Sequence, residues 1–241
     1  MSSFTILNGQ IYTPGLAIIN APQPYTPLGG DDLHISIDIS GNGHLPLRTE
    51  TSTPTRFYTL TIFLTSSETE RNFTIANGTE TGNDMWDNAD GDRGNTGYIG
   101  SVLDLEPAST VKHVNWVWPG CFVGEGAGGG DSARGSYNIS MHQAFRLNGT
   151  EYYTVFDLPI EVVNRIEEDE ARVDCRLLEN AFEPDVEMAS NGSLPVQPWI
   201  GENVDIIVLD GDGESLGNRG MGVRAVMILL VWGLVYCGWT G

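Results

Sequence analysis

Ser136-Tyr-Asn-Ile-Ser-Met-His-Gln-Ala-Phe-Arg-Leu147 is followed by Asn148-Gly149 and then by Thr150-Glu-Tyr-Tyr-Thr-Val-Phe-Asp-Leu158. Tyr137, Ile139 and Met141 alternate with Asn138, Ser140 and His142. That period of two sends successive side chains to opposite faces of a strand. Asn-Gly tolerates positive φ at both positions and closes a two-residue turn whose twist suits antiparallel strands. The spacing predicts a hairpin of Ser136–Leu147 with Thr150–Leu158.

The same period recurs along the chain. Leu33, Ile35, Ile37 and Ile39 oppose His34, Ser36 and Asp38. Phe57–Leu64 is rich in aromatic and β-branched residues, and Thr110–Trp118 sets Val114, Trp116 and Trp118 on one side. Ile160–Asn164 and Val204–Leu209 read as further strands, with shorter ones starting near Phe4, Leu16, Asn72 and Tyr98. One helical turn is expected at Asp174–Asn180. Many short strands separated by Gly and Pro turns predict an all-β, antiparallel β-sandwich, immunoglobulin-like or jelly-roll-like. Residues 1–209 are expected to form it, with a division near Pro107 into two smaller sandwiches as the alternative.

The C-terminus reads differently. From Ala225 to Trp239 the chain is almost wholly apolar, preceded by a polar spacer, Glu214–Arg224, and by small residues at Gly211 and Gly213. Small site, spacer and hydrophobic end are the order of a GPI-attachment signal. The expected organisation is an attachment site and spacer over 210–224 and a cleaved hydrophobic tail over 225–241, with Gly211 or Gly213 as the lipid-bearing residue. A tail anchor is the rival, but a spanning helix takes about 20 apolar residues. A buried core helix is disfavoured because Gly233 and Gly238 interrupt the stretch and it has no polar face. Met1–Asn8 has neither a basic region nor an apolar run. The export signal is therefore expected upstream of this sequence or already removed.

Composition agrees with export. Twelve basic and 32 acidic residues leave a formal net charge of -20. Such acidity argues against nucleic acid as a partner, because phosphates are repelled. Three cysteines are present, and Cys237 lies in the proposed tail, so its removal leaves Cys121 and Cys175 as one expected disulfide. Asn72, Asn77, Asn138, Asn148 and Asn191 each begin an N-x-[ST] sequon.

Candidate chemistry is sparse. Asp84, Asp87, Asp90 and Asp92 supply hard oxygens suited to Ca²⁺ as a cofactor, but they miss the EF-hand spacing. A solvated Asp/Asn/Gly turn is the favoured reading. Gly124-Glu-Gly-Ala-Gly-Gly129 matches G-x-G-x-x-G, yet a strand follows where a dinucleotide site needs a helix. Gly130-Asp-Ser132 with His142 lacks a nucleophile elbow. His34, His44, His113 and His142 show no metal-ligand spacing. Trp86, Trp116, Trp118 and Trp199 are candidates for stacking on sugar, Trp116 and Trp118 sharing one strand face, but core packing is the favoured reading. No catalytic residue is assigned.

Gly135-Ser-Tyr-Asn-Ile-Ser-Met141, continuing through Phe145 to Phe156-Asp-Leu-Pro-Ile160, resembles the last hairpin of an immunoglobulin-like sandwich. With the sequons and the tail, the chain resembles a fungal GPI-anchored cell-surface protein, without the Ser/Thr-rich stalk common before such anchors. That resemblance implies a location outside the cell, attached to the plasma membrane or cell wall through a lipid. The sequence favours a non-catalytic structural or adhesive domain that binds cell-wall glycan or surface proteins. The alternatives are a polysaccharide-active hydrolase and a Ca²⁺-dependent recognition module.

Overall fold

The computed structural model describes residues 3–45, 53–78, 97–125, 132–181, 197–200 and 207–208. Eleven strands are found among them: β1 (Ser3–Leu7), β2 (Gln10–Tyr12), β3 (Ile18–Ala21), β4 (Pro27–Leu28), β5 (Asp32–Asp38), β6 (Arg56–Ser66), β7 (Arg71–Ala76), β8 (Val111–Val117), β9 (Gly135–Leu147), β10 (Thr150–Val162) and β11 (Ile207–Val208). They form an all-β sandwich. One sheet has the order β11-β1-β2-β3-β5-β8, and the other β4-β10-β9-β6-β7. All pairings are antiparallel except β10 with β4.

The predicted hairpin is the spine of the second sheet. Leu147 pairs with Thr150 across Asn148 and Gly149, whose φ angles are 51° and 86°. Its second arm is longer than expected, because β10 continues through Pro159. The carbonyl of Pro159 accepts from the Tyr25 amide at 2.7 Å, on the side away from β9. A residue's N and C=O leave a strand on the same side, so the missing N–H faces the edge and the β9 ladder loses nothing. Tyr98 starts no strand; Ile99 makes only an isolated bridge to Ala76. The helical turn is a 3₁₀ turn, Cys175–Leu177, with Asp174 capping the Arg176 amide.

Strands from both sides of Pro107 meet in both sheets, β5 with β8 and β6 with β9. This interleaving replaces the alternative of two sandwiches split at that point, and Met1–Gly211 forms one unit. Leu33, Ile35, Ile37, Val114 and Trp116 from the first sheet share a core with Leu60, Ile62, Leu64, Ile139, Met141, Phe156 and Leu158 from the second.

Polar Gln143 and Thr154 sit opposite one another among them. Gln143 faces inward with Tyr137, Ile139, Met141 and Phe145 and is fully buried. Its Oε1 accepts from the amides of Leu16 (3.1 Å) and Ala17 (3.0 Å), and its Nε2 donates to Thr13 Oγ1 (2.9 Å). The second sheet is thereby tied to the β2–β3 loop of the first. A Cβ at Gly15 would lie 2.3 Å from Gln143 Oε1, so only glycine lets that loop approach.

Candidate functional site

Cys121 and Cys175 form the expected disulfide, with Cα atoms 6.0 Å apart. It ties the 3₁₀ turn Gly120–Phe122 to the turn at Cys175–Leu177. Beside it, Trp116, Trp118 and Phe122 pack at centroid distances of 5.3–6.4 Å. Trp116 and Trp118 are fully buried, and Trp116 Nε1 donates to the Gly97 carbonyl at 2.9 Å. This corrects the candidate sugar-stacking role of Trp116 and Trp118 and agrees with core packing. Their shared face is the inward one, and the large apolar rings gain more from the core than from water. Trp199 lines an open cleft of about 390 Å³ with His44, Pro54 and Asn148. The His44 ring stacks on it, and a Cβ at Gly41 would lie 2.6 Å from its six-membered ring, so that indole is also engaged within the protein.

The outer face of the second sheet carries the strongest remaining cluster. The β6–β9–β10 register sets Phe63, Ser140 and Asp157 in one cross-strand row, and Thr61, His142 and Val155 in the next. The His142 ring meets Phe63 edge-on at 5.1 Å and Tyr153 at 6.0 Å. His142 Nδ1 lies 2.7 Å from the Tyr153 hydroxyl, and Nε2 lies 3.3 Å from Ser140 Oγ. Burial holds the His142 imidazole below its ordinary pKa, against the opposing pull of Asp157. Burial also raises the Tyr153 phenol. Towards the hairpin tip the face turns charged. The Tyr58 hydroxyl donates to Glu151 Oε1 at 2.8 Å, Arg146 Nε donates to the same oxygen at 2.8 Å, and the Arg56 guanidinium lies 4.7 Å from the Tyr58 ring centre.

Ser140, His142 and Tyr153 have the outline of a nucleophile, a base and an orienting group. Ser140 is only 5% exposed, however, and β9 is paired along both edges, so its amides serve the ladders rather than an oxyanion. The arrangement suits contact with a ligand better than acyl transfer. Ser132 bonds Arg134 Nε at 3.1 Å and not His142. Of the glycine run, Gly124 and Glu125 are described, and the next element is strand β9.

The sequons divide by position. Asn72 and Asn138 both sit opposite Thr65, on the same outer face as His142. Asn77 follows β7, and Asn148 is exposed at the hairpin turn. Asn191, Gly211, Gly213, the hydrophobic tail 225–241 and the Ca²⁺ candidates Asp84, Asp87, Asp90 and Asp92 lie outside the described residues. Among the described residues, no group of three or more His, Cys, Asp or Glu side chains is placed to hold a metal ion. Also among them, no helix is long and apolar enough to cross a membrane.

Fold and site together define a disulfide-linked β-sandwich with an aromatic and polar sheet face. No protein family, curated protein or solved structure matches the chain.

Proposed function

We propose that this chain is a non-catalytic, structural or adhesive domain of an extracellular cell-surface protein, and that it recognises glycan through the outer face of its second sheet. The observation that carries the reading is the cross-strand group of Phe63, His142 and Tyr153 beside the Tyr58–Glu151–Arg146 cluster. Aromatic rings offer apolar faces to the C–H side of a sugar, and planar charged groups bond its hydroxyls. The Cys121–Cys175 disulfide supports an oxidising compartment. The apolar end of the sequence, with Gly211 or Gly213 before its spacer, supports a GPI anchor at the plasma membrane or cell wall, as in the fungal surface proteins that the sequence resembles.

The test is a glycan array probed with the protein lacking residues 225–241, with and without EDTA. Binding that survives EDTA and falls at least about tenfold in Tyr153→Ala supports the sheet face. No binding in either condition refutes glycan recognition, and binding abolished by EDTA transfers the activity to a Ca²⁺ module. For location, phosphatidylinositol-specific phospholipase C is expected to release the protein from intact cells; retention after treatment rules the lipid anchor out.

A further inference from the structure

The outer face of the first sheet holds a pair of imidazoles that the recognition face does not use. His34 on β5 lies opposite Asn115, and His113 on β8 lies opposite Ser36, so the two histidines are diagonal neighbours in one ladder. Both are exposed, and their rings stack with centroids 5.5 Å apart and 17° between planes. In each ring Nδ1 is already engaged. His34 Nδ1 lies 2.5 Å from Asn115 Oδ1, and His113 Nδ1 lies 2.8 Å from Glu106 Oε1. Glu106 Oε2 also accepts the His113 backbone N–H at 2.9 Å.

Those bonds set the tautomers. A carboxylate oxygen can only accept, so Glu106 Oε1 takes its hydrogen bond from the His113 ring. His113 must then carry its proton on Nδ1, and the Asn115 oxygen imposes the same on His34. In the neutral imidazole that tautomer leaves each Nε2 with a lone pair. An imidazole whose other N–H is held by a carboxylate or a carbonyl oxygen is the arrangement that orients metal-binding histidines.

We infer that His34 and His113 form a two-nitrogen site for a late first-row divalent cation, bound through both Nε2 atoms. Water completes the coordination, and Glu106 and Asn115 orient the rings. Imidazole nitrogen suits Cu²⁺, Ni²⁺ and Zn²⁺, with Cu²⁺ bound most tightly of the series. Two cis ligands at roughly 2.0–2.1 Å from one ion stand about 3 Å apart, so binding turns the two exposed rings out of their near-parallel stack, with the Glu106 and Asn115 side chains shifting alongside them. The formal net charge of -20 raises the local concentration of cations.

The experiment titrates tag-free protein with Cu²⁺ by calorimetry in excess Mg²⁺, which occupies diffuse carboxylates, and counts bound nitrogens by electron paramagnetic resonance. One saturable Cu²⁺ with two equatorial imidazole nitrogens is expected. His34→Ala and His113→Ala should each remove one nitrogen and weaken binding at least about tenfold, while Glu106→Ala keeps both nitrogens and weakens binding about tenfold. The inference is overturned if Mg²⁺ abolishes binding, if the double histidine variant binds like the unaltered protein, or if the unaltered protein shows fewer than two nitrogens. That last count requires no variant to fold.

Discussion

Replacing Gln143 with Leu tests whether one buried amide holds the two sheets in register. The substitution makes the side chain apolar at similar size, so the core around Met141 and Phe145 stays filled. What disappears is the acceptor for the Leu16 and Ala17 amides and the donor to Thr13 Oγ1. Thr13 Oγ1 still donates to the Ala17 carbonyl at 2.7 Å. The two amides have no water to turn to at a fully buried site. A buried donor left unsatisfied costs about 1–3 kcal/mol, so two cost roughly 2–6 kcal/mol, centred near 4. For a domain of this size that is a fall in Tm of about 8–16 °C. Urea unfolding followed by tryptophan fluorescence reads the stability, and hydrogen exchange of the Leu16 and Ala17 amides reads the site. Both amides should lose protection before the β9–β10 ladder does. A stability loss under about 1 kcal/mol with unchanged exchange would refute the reasoning, because the loop would then be held by packing alone.

Two further expectations concern the bridge and the imidazole. Reducing Cys121–Cys175, or replacing both by Ser, opens a loop spanning 54 residues and should cost about 4 kcal/mol in the chain-entropy account. Equal urea midpoints for the oxidised and reduced protein would count against it. His142 has a folded pKa below its unfolded value because it is buried. Between the two values the unfolded chain binds more protons, so stability is complete above about pH 6.5 and falls as pH drops towards the folded pKa. His142→Gln should flatten that fall, and the comparison is the slope of unfolding free energy against pH between about 5 and 6.5. An unchanged slope would place the acid sensitivity elsewhere.

Period-two alternation was enough to read the strands whose two faces differ in polarity. Leu33, Ile35 and Ile37 are buried, as their spacing requires, and Asn148-Gly149 closes the hairpin it predicts. The identical signal at Asn8-Gly9, with φ angles of 52° and 79°, turns β1 into β2, whose arms are too short for alternation to mark. The predicted arm ends at Leu158 whereas β10 continues through Pro159, because sequence does not reveal which edge of a strand a proline nitrogen faces. Trp116 and Trp118 were correctly set on one face, but alternation alone does not say whether that face looks to the core or to solvent. Gln143 shows the same limit in reverse. Its inward phase is legible, while its partners lie at residues 13–17, beyond any local pattern.

The histidines carry this point furthest. Metal-site motifs are recognised by short spacings because one helix or one turn presents the ligands together. His34 and His113 have no such spacing, and a scan along the chain passes over both. Their proximity comes from the β5–β8 register, which sets Ser36 against His113 and His34 against Asn115. A slip of one residue would send one of the two rings to the other face of the sheet. The register is held in turn by the buried row of Leu33, Ile35, Ile37, Val114 and Trp116 on the opposite side of the same strands. The hydrophobic core thus decides which polar residues meet on the surface, and any function carried by the outer faces depends on inward residues that never touch a ligand.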